Sequence, residues 1–486
     1  MTEGPKFPVE VLRDIEAQLS QPLFRGMPIG PTLGNLCALQ LYEGHGNWNR
    51  LTRWKDRARK IKYFFRRPSG RAEISALPQG RILVTCMTGN FRVTELVLPV
   101  LKELRPERCV VIGGTPEVLS RVPPGTAAIC WDQALPFDAA AWRADYRKCR
   151  PAWQQTLRAL CRKHRLPPGV YDRLALHILV ASRDLAGCLE FLHAIRPSAV
   201  VTDYDRNDNW SRLVLCARQL GIPTLSLVHG VINDQAVTFV PVLADKIFCW
   251  GEIQRQQLIA AGEKRAEILI GGCPRLRRDL SVTPAEARTR LGLPVEKPVI
   301  VLGTTPVKEC DRREMAELFC VAAAAVPGVS AMVRLHPSEQ LDAYAPVAKR
   351  HPNVRFLRNR DATLDEALAA ADIVVVPNSG FGSDALVRRR LVIVLDLPTM
   401  RLGHGRELIE QAGCPRATNA QELAAAIQDL LTNEAERQRH FAAAERYVTD
   451  FCAFFGGDSA RRIAAVVGET LIPPPQAVNG IRRAVV

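Results

Sequence analysis

Asp372-Ile373-Val374-Val375-Val376-Pro377-Asn378-Ser379-Gly380-Phe381-Gly382-Ser383-Asp384-Ala385 is an apolar run that ends in a Ser/Gly turn and opens a helical pattern. The run Ile373 to Val376 has no polar alternation, the mark of a strand covered on both faces in a parallel sheet. A Ser/Gly turn at the start of a helix presents unpaired backbone N–H groups at the positive end of the helix, and this suits an anion. One βαβ span earlier, Val333-Arg334-Leu335-His336-Pro337-Ser338 closes another apolar run with two cationic donors. Arg334, His336 and Pro337, together with Ser379, Gly380, Gly382 and Ser383, predict a site for the phosphates of a nucleotide.

The same alternation of apolar runs and helical patterns extends outward in both directions. Downstream of Lys297, strands are expected at Pro298 to Gly303, Ser330 to Leu335, Asn353 to Leu357, Asp372 to Pro377 and Leu391 to Asp396. Between two of them, Thr363 and Glu366 have the spacing of a capping box. Upstream, strands are expected at Gly80 to Gly89, Arg108 to Gly114, Ala127 to Trp131, Ser198 to Asp203, Pro223 to His229, Lys246 to Trp250 and Glu267 to Gly271, with a long helical region over about 137–194. Pro274 to Lys297, rich in Arg, Pro and turn residues, reads as a linker. The expected fold is therefore α/β: two Rossmann-like domains, 79–275 and 290–432, facing a cleft. A basic extension over 1–78 precedes them and helices over 433–470 follow.

Composition narrows the class. At 486 residues the chain exceeds one ordinary core. Apolar residues at 47% and charged residues at 24% fit a folded globular protein. The net charge of +15 points to a polyanionic neighbour. The 14 cysteines show no C-x-x-C pair and no zinc-ligand spacing, which suggests a reducing cytoplasm and no disulfide framework or metal. The first residues lack the apolar core of a secretory signal, and no run reaches the roughly 18 apolar residues that cross a bilayer. No nucleic-acid-binding module is visible, so nucleic acid is not the expected partner.

Several short pieces recur in an order that carries a resemblance. They are Thr202-Asp203-Tyr204-Asp205, Leu227-Val228-His229-Gly230, Ala244 to Gly251, Gly271 to Arg275, Arg334 to Pro337, Asn378 to Gly380 and Gly456 to Arg462. From roughly Ile195 to Ser459 the chain resembles GT-B enzymes of bacterial surface-polysaccharide synthesis. These include capsule transferases that use CMP-linked sugars and the CDP-glycerol glycerophosphotransferases. The resemblance implies a nucleotide-activated donor, a saccharide or lipid-linked acceptor, no metal and no further cofactor. It implies that His229 takes or orients the proton of the acceptor hydroxyl, and that His336 offsets charge on the departing phosphate. Asp384-Ala385 stands where many such enzymes carry Glu-Ala to grip a ribose.

Each of these positions has a plainer reading. His229 and His336 suit proton transfer because imidazole titrates near neutral pH; the plainer reading has each bonded only to its own turn. Asp203 is a candidate general base and Asp205 a candidate acceptor contact, whereas Asn207 or Asp208 reads as a helix cap. Arg334 is open to facing the other side of its strand. Thr304 ends the first strand of the second block and would line the donor floor; Thr88 and Asn90 are its counterparts on the acceptor side. Arg275 would reach a phosphate or sit exposed in the linker. His351-Pro352 follows a helix and reads as a structural turn, and Asp458 and Ser459 as the cap of the last helix.

One further stretch stands apart. Arg50 to Arg71 interleaves eight or more cationic residues with Trp54, Tyr63, Phe64 and Phe65, which suits either an anionic membrane surface or a solvated helix face. The expected protein is a cytoplasmic glycosyltransferase, peripheral on the inner face of the membrane. A CDP-polyol phosphotransferase and a sugar-nucleotide 2-epimerase are the alternatives.

Overall fold

The computed structural model describes residues 7–42, 48–65, 74–86, 91–232, 236–306, 309–398, 400 and 403–471. The strands are β1 Ile82–Cys86, β2 Cys109–Gly113, β3 Ala127–Cys130, β4 Ala199–Thr202, β5 Thr224–Leu227, β6 Lys246–Cys249, β7 Ile268–Ile270, β8 Val299–Gly303, β9 Ser330–Arg334, β10 Val354–Leu357, β11 Ile373–Val376, β12 Leu391–Leu395 and β13 Arg416–Ala417. They build two sheets, ordered β3-β2-β1-β4-β5-β6-β7 and β10-β9-β8-β11-β12-β13. Every pairing is parallel. Val84 pairs with both Val111 and Val201, and Val375 with both Leu302 and Ile393. Such central positions are covered by helices on both faces, which is why the strands read as unbroken apolar runs.

In each sheet the chain starts in the middle, winds to one edge, and returns to wind the other way. The reversal falls between β1 and β4 in the first sheet and between β8 and β11 in the second. Ligands of doubly wound sheets sit beyond the carboxyl ends of the strands at such reversals. The helical region between β3 and β4 is two helices, Ala139–Lys163 and Pro168–Ile195, separated where Pro167 and Pro168 follow the turn. Asp138 caps the first, and Pro168 sits at the first position of the second, where its missing N–H costs nothing. Thr363 and Glu366 form the expected capping box.

Three features differ from the sequence reading. Residues 7–42 are not an appendage. Val11, Leu12, Ile15, Phe24, Met27 and Leu33 belong to the same buried cluster as Val110, Ile112 and Trp210 of the first domain. Strand β13 was not anticipated; two residues are too short to leave a pattern. The last helix, Gly456–Glu469, has Phe455 at its cap position, with no side-chain cap from Asp458 or Ser459. Instead Ser459 Oγ donates to the Gly271 carbonyl at 2.8 Å, and Cys273 N donates to the Phe454 carbonyl at 2.9 Å. The chain therefore leaves the second domain through helix Glu434–Phe451 and finishes on the first domain, locking the two together.

Candidate functional site

The tip of β5 carries His229. Its ring lies 4.4 Å from that of Tyr204 and 5.2 Å from that of Phe239, centroid to centroid. The turn that holds it is braced from the next strand. The Trp250 indole N–H donates to the Val228 carbonyl at 2.7 Å, and Gln254 Nε2 to the Gly230 carbonyl at 2.9 Å. Gly230 is not needed to make this turn: a Cβ added there meets no atom within 4 Å. Gly230 leaves open space beside the turn.

Across the seam, Ser379 caps helix Gly380–Val387 by accepting from Phe381 N at 3.2 Å. Gly382 is a packing glycine and not a phosphate contact. A Cβ there would meet Leu408 Cδ1 at 2.6 Å and Val376 Cγ2 at 3.0 Å. Ser383 is buried, with its Oγ 2.6 Å from His404 Nε2 and 3.3 Å from the Tyr447 hydroxyl. Tyr447 donates to Glu407 at 2.7 Å, and His404 Nδ1 lies 3.5 Å from the same carboxylate. Burial opposes charge on Glu407, but His404, Tyr447 and Gln257 outweigh it and hold the carboxyl below its usual range. Burial and that carboxylate push the Tyr447 hydroxyl well up. His229, Gly230, Val231, Trp250, Arg275, Leu276, Gly380, Ser383 and Phe451 together line a small recess between the domains.

Arg275 closes this seam. Its side chain is buried, pairs with both carboxylate oxygens of Asp384 at 3.0 and 3.1 Å, and lies over the Trp250 ring. Burial opposes its charge, but Asp384 more than compensates, so its pKa rises. The reading of Asp384 as a ribose contact is thereby corrected: its carboxylate is committed to Arg275 and, at 3.6 Å, to Arg388, and it does not line the recess. Glu95, on helix Phe91–Glu103, shares this electrostatic neighbourhood. Burial raises its pKa against the pull of Arg275 and Arg277. No motif marked Glu95 in the sequence.

The β9 tip is built differently. Thr304 N donates to the Arg334 carbonyl at 3.1 Å, and His336 N to Thr304 Oγ1 at 2.8 Å. The Thr304 hydroxyl is spent on buried Glu339, which also accepts from Tyr344 and Arg312, each at 3.0 Å. Thr304 therefore braces the turn and does not line a donor floor. Arg334 is likewise corrected. It is buried, donates to the Ala362 carbonyl and Asn359, and stacks over Phe381. His336 is half-buried and Pro337 exposed. Ser338 N–H donates to His336 Nδ1 at 3.2 Å, which makes Nδ1 an acceptor and Nε2 the proton-bearing nitrogen of the neutral ring. Thr305 Oγ1, just past β8, donates to the Asn378 carbonyl at 3.3 Å, tying the β8 tip to the β11 turn. His336 and Gly380 thus stand at the same end of the sheet on strands that flank β8, roughly 10 Å apart by strand spacing. His336 does not line the recess. His351 bonds Glu317 at 2.8 Å after helix Ala345–Arg350, as a structural turn does.

The carboxylates at the β4 tip are structural. Asp203 is fully buried, accepts from Thr85 Oγ1 at 2.9 Å, and presents no surface to an acceptor. Asp205 accepts from Leu243 N at 2.7 Å and Ala244 N at 2.9 Å. Burial pushes its pKa up against those bonds. Neither acts as the exposed base or acceptor contact expected of it. Asn207, not Asp208, caps helix Asp208–Gln219. Thr88 and Asn90 lie outside the described residues.

No protein-family model matches the chain. No curated protein matches it in sequence. Solved structures do match in shape. The UDP-GlcNAc 2-epimerase of Methanocaldococcus jannaschii is 12% identical with a TM-score of 0.51, covering 80% of this chain and 99% of that one. HepE of Anabaena, in complex with UDP and glucose, is 14% identical with a TM-score of 0.51, covering 81% and 100%. A glycosyltransferase from Rickettsia africae is 12% identical with a TM-score of 0.52, covering 81% and 99%. At these identities the likeness is one of fold: two Rossmann-like α/β domains of the GT-B kind.

Proposed function

We propose that this chain is a GT-B glycosyltransferase that moves a sugar from a nucleotide-sugar donor to a saccharide or lipid-linked acceptor of surface-glycan assembly. The observation that carries the reading is the recess itself, where His229 from one domain meets the Gly380–Ser383 helix start from the other. In the proposed reaction the acceptor oxygen bonds to the anomeric carbon as the bond from that carbon to the phosphate oxygen breaks. The acceptor proton passes to His229, and the positive end of the Gly380–Val387 helix dipole stabilises the leaving phosphate. The recess is far too small for a whole nucleotide sugar, so the nucleotide would extend along the strand tips towards His336, whose Nε2–H meets a phosphate oxygen.

A second reading is a nucleotide-sugar 2-epimerase, favoured by the names of three structural neighbours. Against it, the carboxylates Asp203, Asp205, Asp384 and Glu339 are committed to bonds within the protein. A CDP-polyol phosphotransferase would use the same residues and leave a phosphodiester. Thermal melting with UDP, CMP, CDP and GDP, followed by mass analysis of products with and without a saccharide acceptor, separates the three. The transferase reading expects a nucleotide-dependent rise in Tm and a glycosidic product only when acceptor is present. Gly230→Val should fold normally, because its Cβ finds open space, and should lose the nucleotide response. No response to any nucleotide would overturn the proposal. An isomerised donor without acceptor would establish the epimerase instead.

A further inference from the structure

Seven large apolar side chains are exposed among the described residues, and four of them lie on one helix, Arg50–Phe65: Leu51 at 59%, Trp54 at 67%, Ile61 at 64% and Phe65 at 67%. Their spacing is that of one helix face. At about 100° per residue, Leu51, Trp54, Ala58, Ile61 and Phe65 fall within an arc of roughly 80°. The opposite face is the one that holds the helix to the protein. Asp56 is buried and accepts from Arg173 at 2.7 Å, Arg53 and Arg57 reach Asp172 at 2.9 and 3.1 Å, and Arg183 lies over the Tyr63 ring. The apolar stripe therefore points away from the domain and is not a misplaced core face.

The stripe is bordered by cations. Lys55, Arg59 and Lys62 project along one side, and Arg50 along the other, all exposed. Lys60 reports the same field: burial, then the charges of Arg150 and Arg57, push its ammonium below its ordinary pKa. We propose that helix Arg50–Phe65 docks this protein on an anionic lipid bilayer, with the Leu51-Trp54-Ile61-Phe65 stripe in the acyl boundary and the flanking Lys and Arg residues among the headgroups. An amphipathic helix with aromatic and aliphatic residues on one face and cations on its edges has the chemistry of such a surface. A second copy of this chain does not: pairing two stripes would bring two sets of cations together. Nucleic acid would meet the cations and leave the apolar stripe unsatisfied.

The test is co-sedimentation of the full chain with vesicles of phosphatidylcholine alone and of phosphatidylcholine mixed with phosphatidylglycerol, at low and high salt. The wild type should bind the mixed vesicles, bind the neutral ones far less, and detach as salt rises. Lys55→Gln, Arg59→Gln and Lys62→Gln together should weaken binding roughly a hundredfold, about fivefold for each charge removed. Trp54→Ser, Ile61→Ser and Phe65→Ser together should also release the protein, with an unchanged melting temperature because these side chains are outside the core. Binding that neither triple variant alters, or equal binding to neutral vesicles, would overturn the proposal. So would an apolar triple variant that turns a dimer into a monomer on size exclusion while vesicle binding persists. Turnover on a soluble acceptor is expected to be the same for all three proteins, so the result stands apart from the assignment of the recess.

Discussion

The two histidines at strand tips, His229 and His336, look alike in sequence and are built differently. Each follows an apolar run and precedes a turn residue. His229 is wedged between Tyr204 and Phe239 and faces the other domain, with Gly230 leaving room beside the turn. His336 is held within its own turn by Ser338, on a base of Thr304 and buried Glu339. The first is placed to act on something that enters the seam. The second is fixed in tautomer and orientation, as suits a stationary donor to an anion. A strand-tip histidine takes its role from what it faces, and the strand that carries it does not decide this.

Breaking this contrast should give effects of different kind. His229→Ala should lower turnover by roughly 10²–10⁴ while leaving donor affinity close to wild type, as measured by steady-state kinetics. An equal loss of affinity would erase the distinction between the two sites. Arg275→Ala should cost about 3 kcal/mol or more in chemical denaturation, because Asp384 stays buried without its cross-domain partner. A loss well below that would mean the domains do not depend on this pair. His336→Ala should act mainly on binding: removing a charge-assisted hydrogen bond of about 1.5–3 kcal/mol raises the donor concentration needed for half-saturation by roughly ten- to a hundredfold.

The smallest effect concerns Glu95. Burial raises its folded-state pKa above the unfolded value, so the folded chain keeps this proton to higher pH. Stability from this group is present below the ordinary glutamate range and is lost as pH rises through the raised folded value. Glu95→Gln should therefore melt slightly higher than wild type at neutral pH, and the gain should vanish on acidification. A variant less stable than wild type at neutral pH would show that ion pairing with Arg275, and not burial, governs this carboxyl.

The sheets were legible because residues buried on both faces leave unbroken runs such as Ile373 to Val376, and the expected strands lie within one or two residues of their places, except that the one expected to reach Gly89 ends at Cys86. The site was legible only where backbone geometry creates it. The Gly380 turn and the ends of β5 and β9 follow from strand-to-helix punctuation. The side chains were not legible, because a strand's sequence does not say what partner waits across the fold. Asp203 meets Thr85 from 118 residues away, Asp384 meets Arg275 from 109, and Ser383 meets Tyr447 from 64. Arg334 shows the other limit: a one-residue alternation sends it onto Phe381 and Asn359 while His336 turns outward. The basic helix carried its charge openly, but only the packed structure separates Arg53 and Arg57, bound to Asp172, from the exposed stripe.

On the proposed reading, one nucleotide-activated sugar spans the seam and the β9 tip. Ring signals of the nine histidines, followed by NMR in labelled protein during titration with the nucleotide that raises Tm most, test it directly. His229 and His336 should shift together along one binding curve while His351, tied to Glu317, stays in place. Shifts confined to one of the pair, or none at either while the nucleotide binds, would contradict it.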